Sequence, residues 1–258
     1  MLLAIDIGNT HIAVGLYEKE TLKAHWRMSS LQERTEDETW ILMKSISQAH
    51  GYEIVRIDGV AISSVVPDIT PIFISMSEKY LRCHTVQVSH HLDLGLQIHY
   101  RDPGSVGADR LCNAVGGFYK YGGPLVVIDF GTATTLDVIS QQGEYLGGVI
   151  APGLELTATM LHRRAAKLPR VDVRFPHSVI GTSTETSIQS GLTYGAVEML
   201  DGLIRQIEKE LHSAVKTVAT GGLASVLVDR LALVETIDPY LTLDGLCRIF
   251  WRIRTAKT

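Results

Sequence analysis

The pattern of hydrophobic and polar positions repeats near the middle of the chain. The nine residues at 2–10, LLAIDIGNT, reappear 123 positions later as LVVIDFGTA at 125–133. Each copy is an apolar run typical of a buried strand, followed by Asp-x-Gly, and a second β-type run comes next, at 12–17 or 135–139. Because the spacing is close to half the chain length, we predict two similar halves. A chance likeness of two strand-turns is the alternative.

Helix and strand patterns alternate along the rest of the chain. Residues 35–38 form a capping box that predicts the start of a helix, and Thr70-Pro71 predicts an N-cap and an N1 proline for another. The apolar residues at 192–211 recur at helical spacing. Residues 60–66 and 217–220 are typical of strands. We therefore expect an α/β fold with two mixed sheets flanked by helices.

Composition narrows the class of protein without changing this picture. The chain has 258 residues, 45% of them hydrophobic and 20% charged, with a net charge of −4. This balance excludes a disordered chain and gives no basic footprint for nucleic acid. Cys83, Cys112 and Cys247 form no CxxC pair, which argues against a zinc knuckle or disulfide framework. With no signal peptide and no membrane span apparent, we expect a soluble, cytoplasmic protein.

The two Asp-x-Gly turns are the first candidates for chemistry. The chain lacks the Walker, GxGxxG, HExxH and GxSxG motifs. Gly lets the backbone approach a phosphate closely, and a nearby hydroxyl or amide can add a hydrogen bond. The carboxylates of Asp6 and Asp129 are then expected to face a metal ion or its waters. Two such turns could hold a polyphosphate, although Asp and Gly also simply close β-turns.

A second candidate lies at 100–110, where a loop rich in Gly and Pro leads into an apolar helix. Asp109 and Arg110 are expected in the first turn, where the helix dipole favours an ionised carboxylate. Asp109 could accept a proton from a hydroxyl, and Arg110 could bind an anion. In the plainer interpretation Asp109 only matches the dipole and Arg110 is its surface partner.

Two further segments are rich in glycine or in hydroxyl side chains. Residues 180–185 are typical of an N-cap region, with Ser183 or Thr184 as the cap. The glycines at 147, 148 and 153 predict a tight loop around Pro152. Neither segment identifies a chemistry by itself.

Taken together, these motifs resemble the type III pantothenate kinases. The resemblance covers essentially the whole chain, and the loop that holds Asp109 is its most specific part. Asp-x-Gly turns alone are shared with sugar kinases, acetate kinases, actins and Hsp70-type ATPases. The matching stretches are residues 6–10, 100–110, 129–133, 147–153, 181–191 and 220–223.

The resemblance implies a duplicated ribonuclease H-like fold of the actin and Hsp70 type, with ATP between halves at 1–115 and 116–258. It implies ATP-dependent phosphorylation of pantothenate to 4'-phosphopantothenate, the first step of coenzyme A biosynthesis. Members of the family are typically homodimers, with the vitamin site near the subunit interface. Neither nucleic acid nor a membrane is expected as a partner.

The resemblance also implies roles for individual residues. Asp109 is the proton acceptor, Asp6 lies close to the Mg²⁺ that accompanies ATP, and Asp129 helps hold a monovalent cation, K⁺ or NH₄⁺. The implied ATP-binding residues are Asp6, Ile7, Gly8, Asn9, Thr10, His11, Ile12, Ala13 and Thr132. The implied pantothenate-binding residues are Tyr100, Gly107, Ala108, Asp109, Arg110 and Thr184.

The sequence departs from the family pattern at two places. His11 stands where relatives often carry Asn or another small polar residue, and Thr182-Ser183 stands where they commonly carry a basic residue followed by Asn. Two other functions stay open at this point: an ATP-binding regulatory protein that assists transcription, and a sugar or carboxylate kinase of the same fold. The Asp109-Arg110 pair favours the enzyme, because a degenerate binding module would have little reason to keep it.

Overall fold

In a computed structural model, which describes residues 1–54 and 57–255, the chain divides into two compact units. The first comprises residues 1–120 together with the C-terminal segment from Tyr240, and the second is Tyr121–Pro239. The division predicted from the sequence, 1–115 and 116–258, places this C-terminal segment in the other half. The segment belongs to the first unit because it packs against that unit's sheet.

The elements are numbered in chain order. The strands are β1 (Leu2–Ile7), β2 (His11–Glu18), β3 (Thr21–Ser29), β4 (Gly59–Ser64), β5 (His84–Gln87), β6 (Gln97–Ile98), β7 (Leu125–Phe130), β8 (Ala133–Ile139), β9 (Glu144–Pro152), β10 (Lys216–Gly221) and β11 (Thr236–Ile237). The helices are α1 (Glu36–Ala49), α2 (Thr70–Met76), α3 (Ala108–Tyr121), α4 (Leu154–Arg164), α5 (Thr184–Leu211), α6 (Ala224–Leu227) and α7 (Leu241–Thr255).

Each unit contains a mixed sheet, and the two sheets share one topology. In the first unit the order is β3-β2-β1-β4-β5, with an antiparallel β1–β2–β3 meander and with β4 and β5 parallel to β1. In the second unit β9-β8-β7-β10-β11 repeats this order and these directions. The predicted pair of mixed sheets is therefore confirmed.

The duplication extends to individual side chains of the central strands. Leu3, Ile5 and Ile7 of β1 are fully buried in the core of the first unit. Their counterparts 123 positions later, Val126, Ile128 and Phe130 of β7, are buried in the core of the second. Since side chains alternate across a strand, Asp6 and Asp129 lie on the opposite face of their sheets. The repeated sequence thus places each aspartate at the end of a central strand and outside the main core.

The start of α1 follows the predicted capping box. The Thr35 hydroxyl accepts a hydrogen bond from the Glu38 N–H at 3.3 Å, and the Thr35 N–H donates to Glu38 Oε2 at 2.8 Å. The predicted cap of α2 is wrong by one residue. Ile69 is the N-cap, and Thr70 lies inside the helix, where its hydroxyl donates to the Val66 carbonyl at 2.8 Å. That acceptor lies four residues back, so the hydroxyl does not cap the helix.

The predicted tight loop at the glycines is only partly correct. Gly147 and Gly148 lie within β9, and only Gly153 follows a strand end, where it is the N-cap of α4. Gly147 has φ +128°, next to a register shift in the β8–β9 pairing. A bulge of this kind explains why glycines that signal a turn in sequence occur here inside a strand.

Helices α3 and α7 belong to the first unit and pack against each other. A Cβ on Gly116 of α3 would lie 2.7 Å from the Leu241 carbonyl oxygen of α7. Phe250 of α7 lies over β4, where a Cβ on Gly59 would be 2.3 Å from its ring. Among the residues that the structure describes, none of these helices is long and apolar enough to cross a membrane.

Candidate functional site

The first Asp-x-Gly turn joins β1 to β2 in the first unit. The Gly8 N–H donates to the His11 carbonyl at 3.0 Å, and the Ser30 hydroxyl donates to the Gly8 carbonyl at 2.6 Å. The Ser30 N–H donates in turn to the Thr10 carbonyl at 3.1 Å. The backbone of this turn is therefore held from both sides, while the side chain of Asn9 is exposed.

Two of the residues expected to bind ATP cannot do so through their side chains. Ile7 is fully buried and Ile12 is 1% exposed, and both belong to the core of the first unit. They pair with each other across β1 and β2. Any contact that they make with a nucleotide must come from the main chain. The exposed side chains of Asn9 and His11, and the half-buried ones of Asp6 and Thr10, are the ones that a ligand could reach.

Asp109 lies in the first turn of α3, as predicted. Its Oδ1 accepts a hydrogen bond from the Arg110 N–H at 2.7 Å. The Asp109 carboxylate packs against the loop before it, since a Cβ on Gly107 would lie 2.4 Å from Asp109 Oδ1. Upstream, the Asp102 carboxylate accepts from the Gly104 N–H at 3.2 Å and caps a short 3₁₀ turn. The half-buried Tyr100 precedes this turn.

The surroundings of Asp109 have opposing effects on the pKa of its carboxyl group. Burial raises the pKa of the Asp109 carboxyl, while the Arg110 N–H and the Arg110 guanidinium act to lower it, and the effect of burial is the larger. Arg110 is only 7% exposed. The interpretation of Arg110 as a surface partner is therefore wrong, since this side chain is buried at the base of the helix.

Cys112 is a fully buried cysteine of α3 that follows Asp109 by three residues on the same face of the helix. Burial raises the pKa of its thiol well above the usual range, and the negative charges of Asp6 and Asp109 raise it further. Both aspartates belong to the first unit, although about a hundred positions separate them in sequence.

The second Asp-x-Gly turn joins β7 to β8 in the second unit. The Gly131 N–H donates to the Ala133 carbonyl at 3.1 Å, which makes this turn one residue shorter than the first. The Thr132 carbonyl accepts from the N–H of Gly153, the N-cap of α4, at 3.2 Å. Gly221 at the end of β10 has φ +91°, and a Cβ there would lie 2.5 Å from Asp129 Oδ1. The main chain of Gly221 therefore packs directly against the aspartate.

Thr184 lies in the second unit, as the first residue of the 28-residue helix α5. Ser183 is the N-cap, and its hydroxyl accepts from the Thr186 N–H at 3.2 Å, so the first of the two predicted caps is correct. Thr182, Ser183 and Thr184 line a cavity of about 860 Å³, together with Leu161 of α4 and other residues. The lining of this cavity includes both hydroxyl and aliphatic side chains.

Two residues at these positions carry no recognisable signal in the sequence. Ser63 of β4 is fully buried and donates to Asp6 Oδ1 at 2.7 Å. Cys112 of α3 is the other. A serine in a strand or a cysteine in a helix usually belongs to the core, and only the strand register and helix packing reveal these neighbours.

The carboxylates at these turns suit a metal ion that is bound together with a phosphate-bearing ligand. Within residues 1–54 and 57–255, no three His, Cys, Asp or Glu side chains are grouped so as to hold a metal by themselves. Mg²⁺ typically binds to one or two carboxylates and to substrate phosphates rather than to a cage of protein groups. A single carboxylate such as Asp6, at the end of a strand and beside the turn that joins β1 to β2, fits that mode of binding.

Comparison with solved structures agrees with the topology. A structure described as a Baf-family transcriptional activator from Campylobacter jejuni has a TM-score of 0.63 at 17% identity, covering 98% of this chain and 99% of that one. An ROK hexokinase from Thermus thermophilus has a TM-score of 0.55 at 13% identity, with 98% and 99% covered. At these identities the likeness concerns the fold alone, and it confirms the ribonuclease H-like fold of the actin, Hsp70 and ROK-kinase type.

Comparison of sequences identifies the family. A type III pantothenate kinase from Solibacter usitatus (strain Ellin6076) is 46% identical over 252 residues, which cover 98% of this chain and 97% of that protein. The family model described as type III pantothenate kinase matches residues 2–206. The matched region includes both Asp-x-Gly turns, the Asp109 loop and the start of α5. The chain therefore belongs to the type III pantothenate kinase family.

Proposed function

We propose that this protein transfers the γ-phosphoryl group of ATP to the primary hydroxyl of pantothenate, forming 4'-phosphopantothenate for coenzyme A biosynthesis. One observation carries the proposal most directly: the first unit holds both the Asp109 carboxylate, in the first turn of α3, and the Asp-x-Gly turn that joins β1 to β2. Transfer of a phosphoryl group to an alcohol requires a proton acceptor together with a phosphate-binding turn. Family membership supplies the substrate.

The two Asp-x-Gly turns are the proposed contacts for the nucleotide. In each turn a glycine leaves the main chain open to a close approach by phosphate oxygens. We assign nucleotide contacts to residues 6–13 in the first unit and to Thr132 in the second, with Ile7 and Ile12 acting through the main chain. When bound with ATP, Mg²⁺ neutralises charge on the phosphates, and Asp6 is the carboxylate that would hold the ion or its waters.

Asp109 acts late in the proposed transfer. An aspartate has an ordinary pKa of about 4, far below that of an alcohol, so it cannot deprotonate the hydroxyl fully in advance. Phosphoryl transfer passes through a loose transition state in which the nucleophile keeps its proton until late. Asp109 therefore orients the pantothenate hydroxyl and accepts its proton as the new P–O bond forms. Such a base contributes on the order of 10²–10⁴ in rate.

The remaining contacts to pantothenate come from two segments. Tyr100, Gly107, Ala108 and Arg110 flank Asp109 in the first unit. Thr184 lines the 860 Å³ cavity of the second unit, where aliphatic walls and hydroxyl groups match a substrate with both kinds of surface. Arg110, buried next to Asp109, adds a positive charge that favours the ionised form of the base.

Asp129 is the proposed ligand of a monovalent cation, K⁺ or NH₄⁺. A single carboxylate next to main-chain oxygens suits a large, weakly hydrated ion better than an octahedral Mg²⁺. The close packing of Gly221 against the Asp129 carboxylate supports this assignment, because it brings the main chain to the side-chain oxygen.

A cytoplasmic homodimer is the proposed form of the protein. The second unit exposes several large hydrophobic side chains, as expected of a surface that a partner covers. Among them are Ile150, Leu156, Met160, Val179 and Ile180. Cys83, Cys112 and Cys247 are free thiols, as is usual in a reducing compartment.

The activity is tested by incubating the purified protein with ATP, Mg²⁺ and K⁺ and measuring phosphopantothenate by mass spectrometry. Parallel reactions contain glucose or acetate in place of pantothenate, and Na⁺ in place of K⁺. We expect product with pantothenate only. Nucleotide binding without product would favour the regulatory function, and phosphorylation of glucose or acetate would indicate a different kinase of the same fold.

A further inference from the structure

Ser63 makes a direct contact with the aspartate at the end of the central strand. β1 and β4 are parallel neighbours, and their register places Ser63 beside Asp6. The Ser63 hydroxyl donates to Asp6 Oδ1 at 2.7 Å, and the serine is fully buried. A hydrogen bond to a charged carboxylate at a buried position is among the stronger ones in proteins. It restricts the rotation of the Asp6 side chain.

We infer that Ser63 is a positioning residue, which holds the Asp6 carboxylate in the orientation needed for the cation that accompanies ATP. The inference rests on the proposed role of Asp6. Because one Asp6 oxygen accepts a hydrogen bond from Ser63, the orientation of the whole carboxylate group is fixed. Partners of this kind behind a ligand typically change metal affinity or activity by about 10–100-fold when they are removed.

The second unit provides a natural comparison. In the parallel pairing of β7 with β10, Thr220 takes the place beside Asp129 that Ser63 takes beside Asp6. Thr220 is 2% exposed. A hydroxyl residue is thus paired with the strand-end aspartate in both units, which indicates that the hydroxyl matters at this register position. It also makes threonine the conservative replacement for Ser63.

The experiment measures binding of Mn²⁺ with a non-hydrolysable ATP analogue by electron paramagnetic resonance, alongside the steady-state kinetics. For Ser63→Ala we expect Mn²⁺ affinity about 10–100-fold weaker and a matching rise in the Mg²⁺ concentration for half-maximal rate, with the KM for pantothenate unchanged. Ser63→Thr should restore affinity. Ser77→Ala is the matched control, since Ser77 is also fully buried in this unit but donates to the Phe73 carbonyl.

Ser63→Cys provides a second variant in case Ser63→Ala fails to fold. Its thiol is only a weak donor to Asp6, so Ser63→Cys should bind Mn²⁺ more weakly than the wild type. Wild-type Mn²⁺ affinity in Ser63→Ala, or in Ser63→Cys where Ser63→Ala does not fold, would overturn the inference while leaving the proposed function intact. A wild-type protein that binds the nucleotide complex but phosphorylates no pantothenate would overturn the function and leave the Ser63 comparison valid.

Discussion

Gly245 of α7 lies against the carbonyl oxygen of Cys112 on α3, so closely that a Cβ built on the glycine would be 1.9 Å from that oxygen. The two helices therefore touch through their main chains. Gly116, one turn further along α3, faces the main chain of α7 in the same way. Because Asp109 lies in the first turn of α3, the packing of α7 against this helix sets the position of the proposed base.

Replacing Gly245 by alanine should destabilise the first unit. The added methyl group has no space, and overpacking of this kind costs about 1–3 kcal/mol of unfolding free energy. Gly202→Ala in α5 is the matched control, because nothing lies within 4 Å of its Cβ position. For Gly202→Ala we expect the free energy of unfolding to rise by about 0.4–1 kcal/mol, because alanine reduces the conformational freedom of the unfolded chain. Urea denaturation measures the free energy of unfolding of the two variants. Equal changes in Gly245→Ala and Gly202→Ala would contradict the close contact between α3 and α7.

Gly221→Ala tests the packing of the main chain against Asp129. Gly221 has φ +91°, and its Cβ would collide with Asp129 Oδ1. Gly51 has a similar φ of +81° but open space around its Cβ position. Gly51→Ala should therefore show only the backbone strain, on the order of 1–2 kcal/mol. Gly221→Ala should lose more stability in the same thermal melts, because its Cβ would also lie 2.6 Å from the main-chain nitrogen of Phe130. A loss no larger than that of Gly51→Ala would contradict the close packing at Gly221.

Asp129→Asn should weaken activation by potassium. Removal of the negative charge takes away the proposed anchor of the cation, so the K⁺ concentration for half-maximal rate should rise and the apparent KM for ATP should rise with it. The control is Asp172→Asn, an exposed carboxylate in the same unit. Rates are measured from zero to saturating KCl at constant ionic strength. An unchanged potassium response in Asp129→Asn would place the cation elsewhere.

The pH dependence of kcat should report the ionisation of Asp109. The base must be deprotonated to act, so kcat falls as the pH falls through the pKa of Asp109 in the complex. Burial raises that pKa, and the acid limb should therefore lie at higher pH than for an exposed aspartate. The acid limb should be absent from the residual rate of Asp109→Asn. Asp37→Asn, which changes an exposed carboxylate in the first turn of α1, should leave the limb in place.

The duplicated sheets could be predicted because their signal is local. An apolar run, an Asp-x-Gly turn and a second run are contiguous in sequence, and each copy carries the whole pattern. The same holds for Asp109, whose helix starts directly after a Gly- and Pro-rich loop. The capping box at Thr35 needed only four adjacent residues.

Other features depended on contacts between distant segments. The assignment of α7 to the first unit rests on its packing at Gly116 and Gly245, which no periodicity reveals. Ser63 becomes recognisable only when the parallel register places it beside Asp6. Gly147 was misread because glycine signals both a turn and a bulge, and the strand pairing decides between them.

The most direct test of the proposed chemistry is the kcat of Asp109→Asn, measured together with its affinity for the nucleotide. Loss of a general base predicts that kcat falls by about 10²–10⁴-fold, with the dissociation constant for ATP unchanged and the thermal melt like that of the wild type. Such a result would identify Asp109 as the proton acceptor. A folded variant that keeps more than about a tenth of the wild-type kcat would contradict that role.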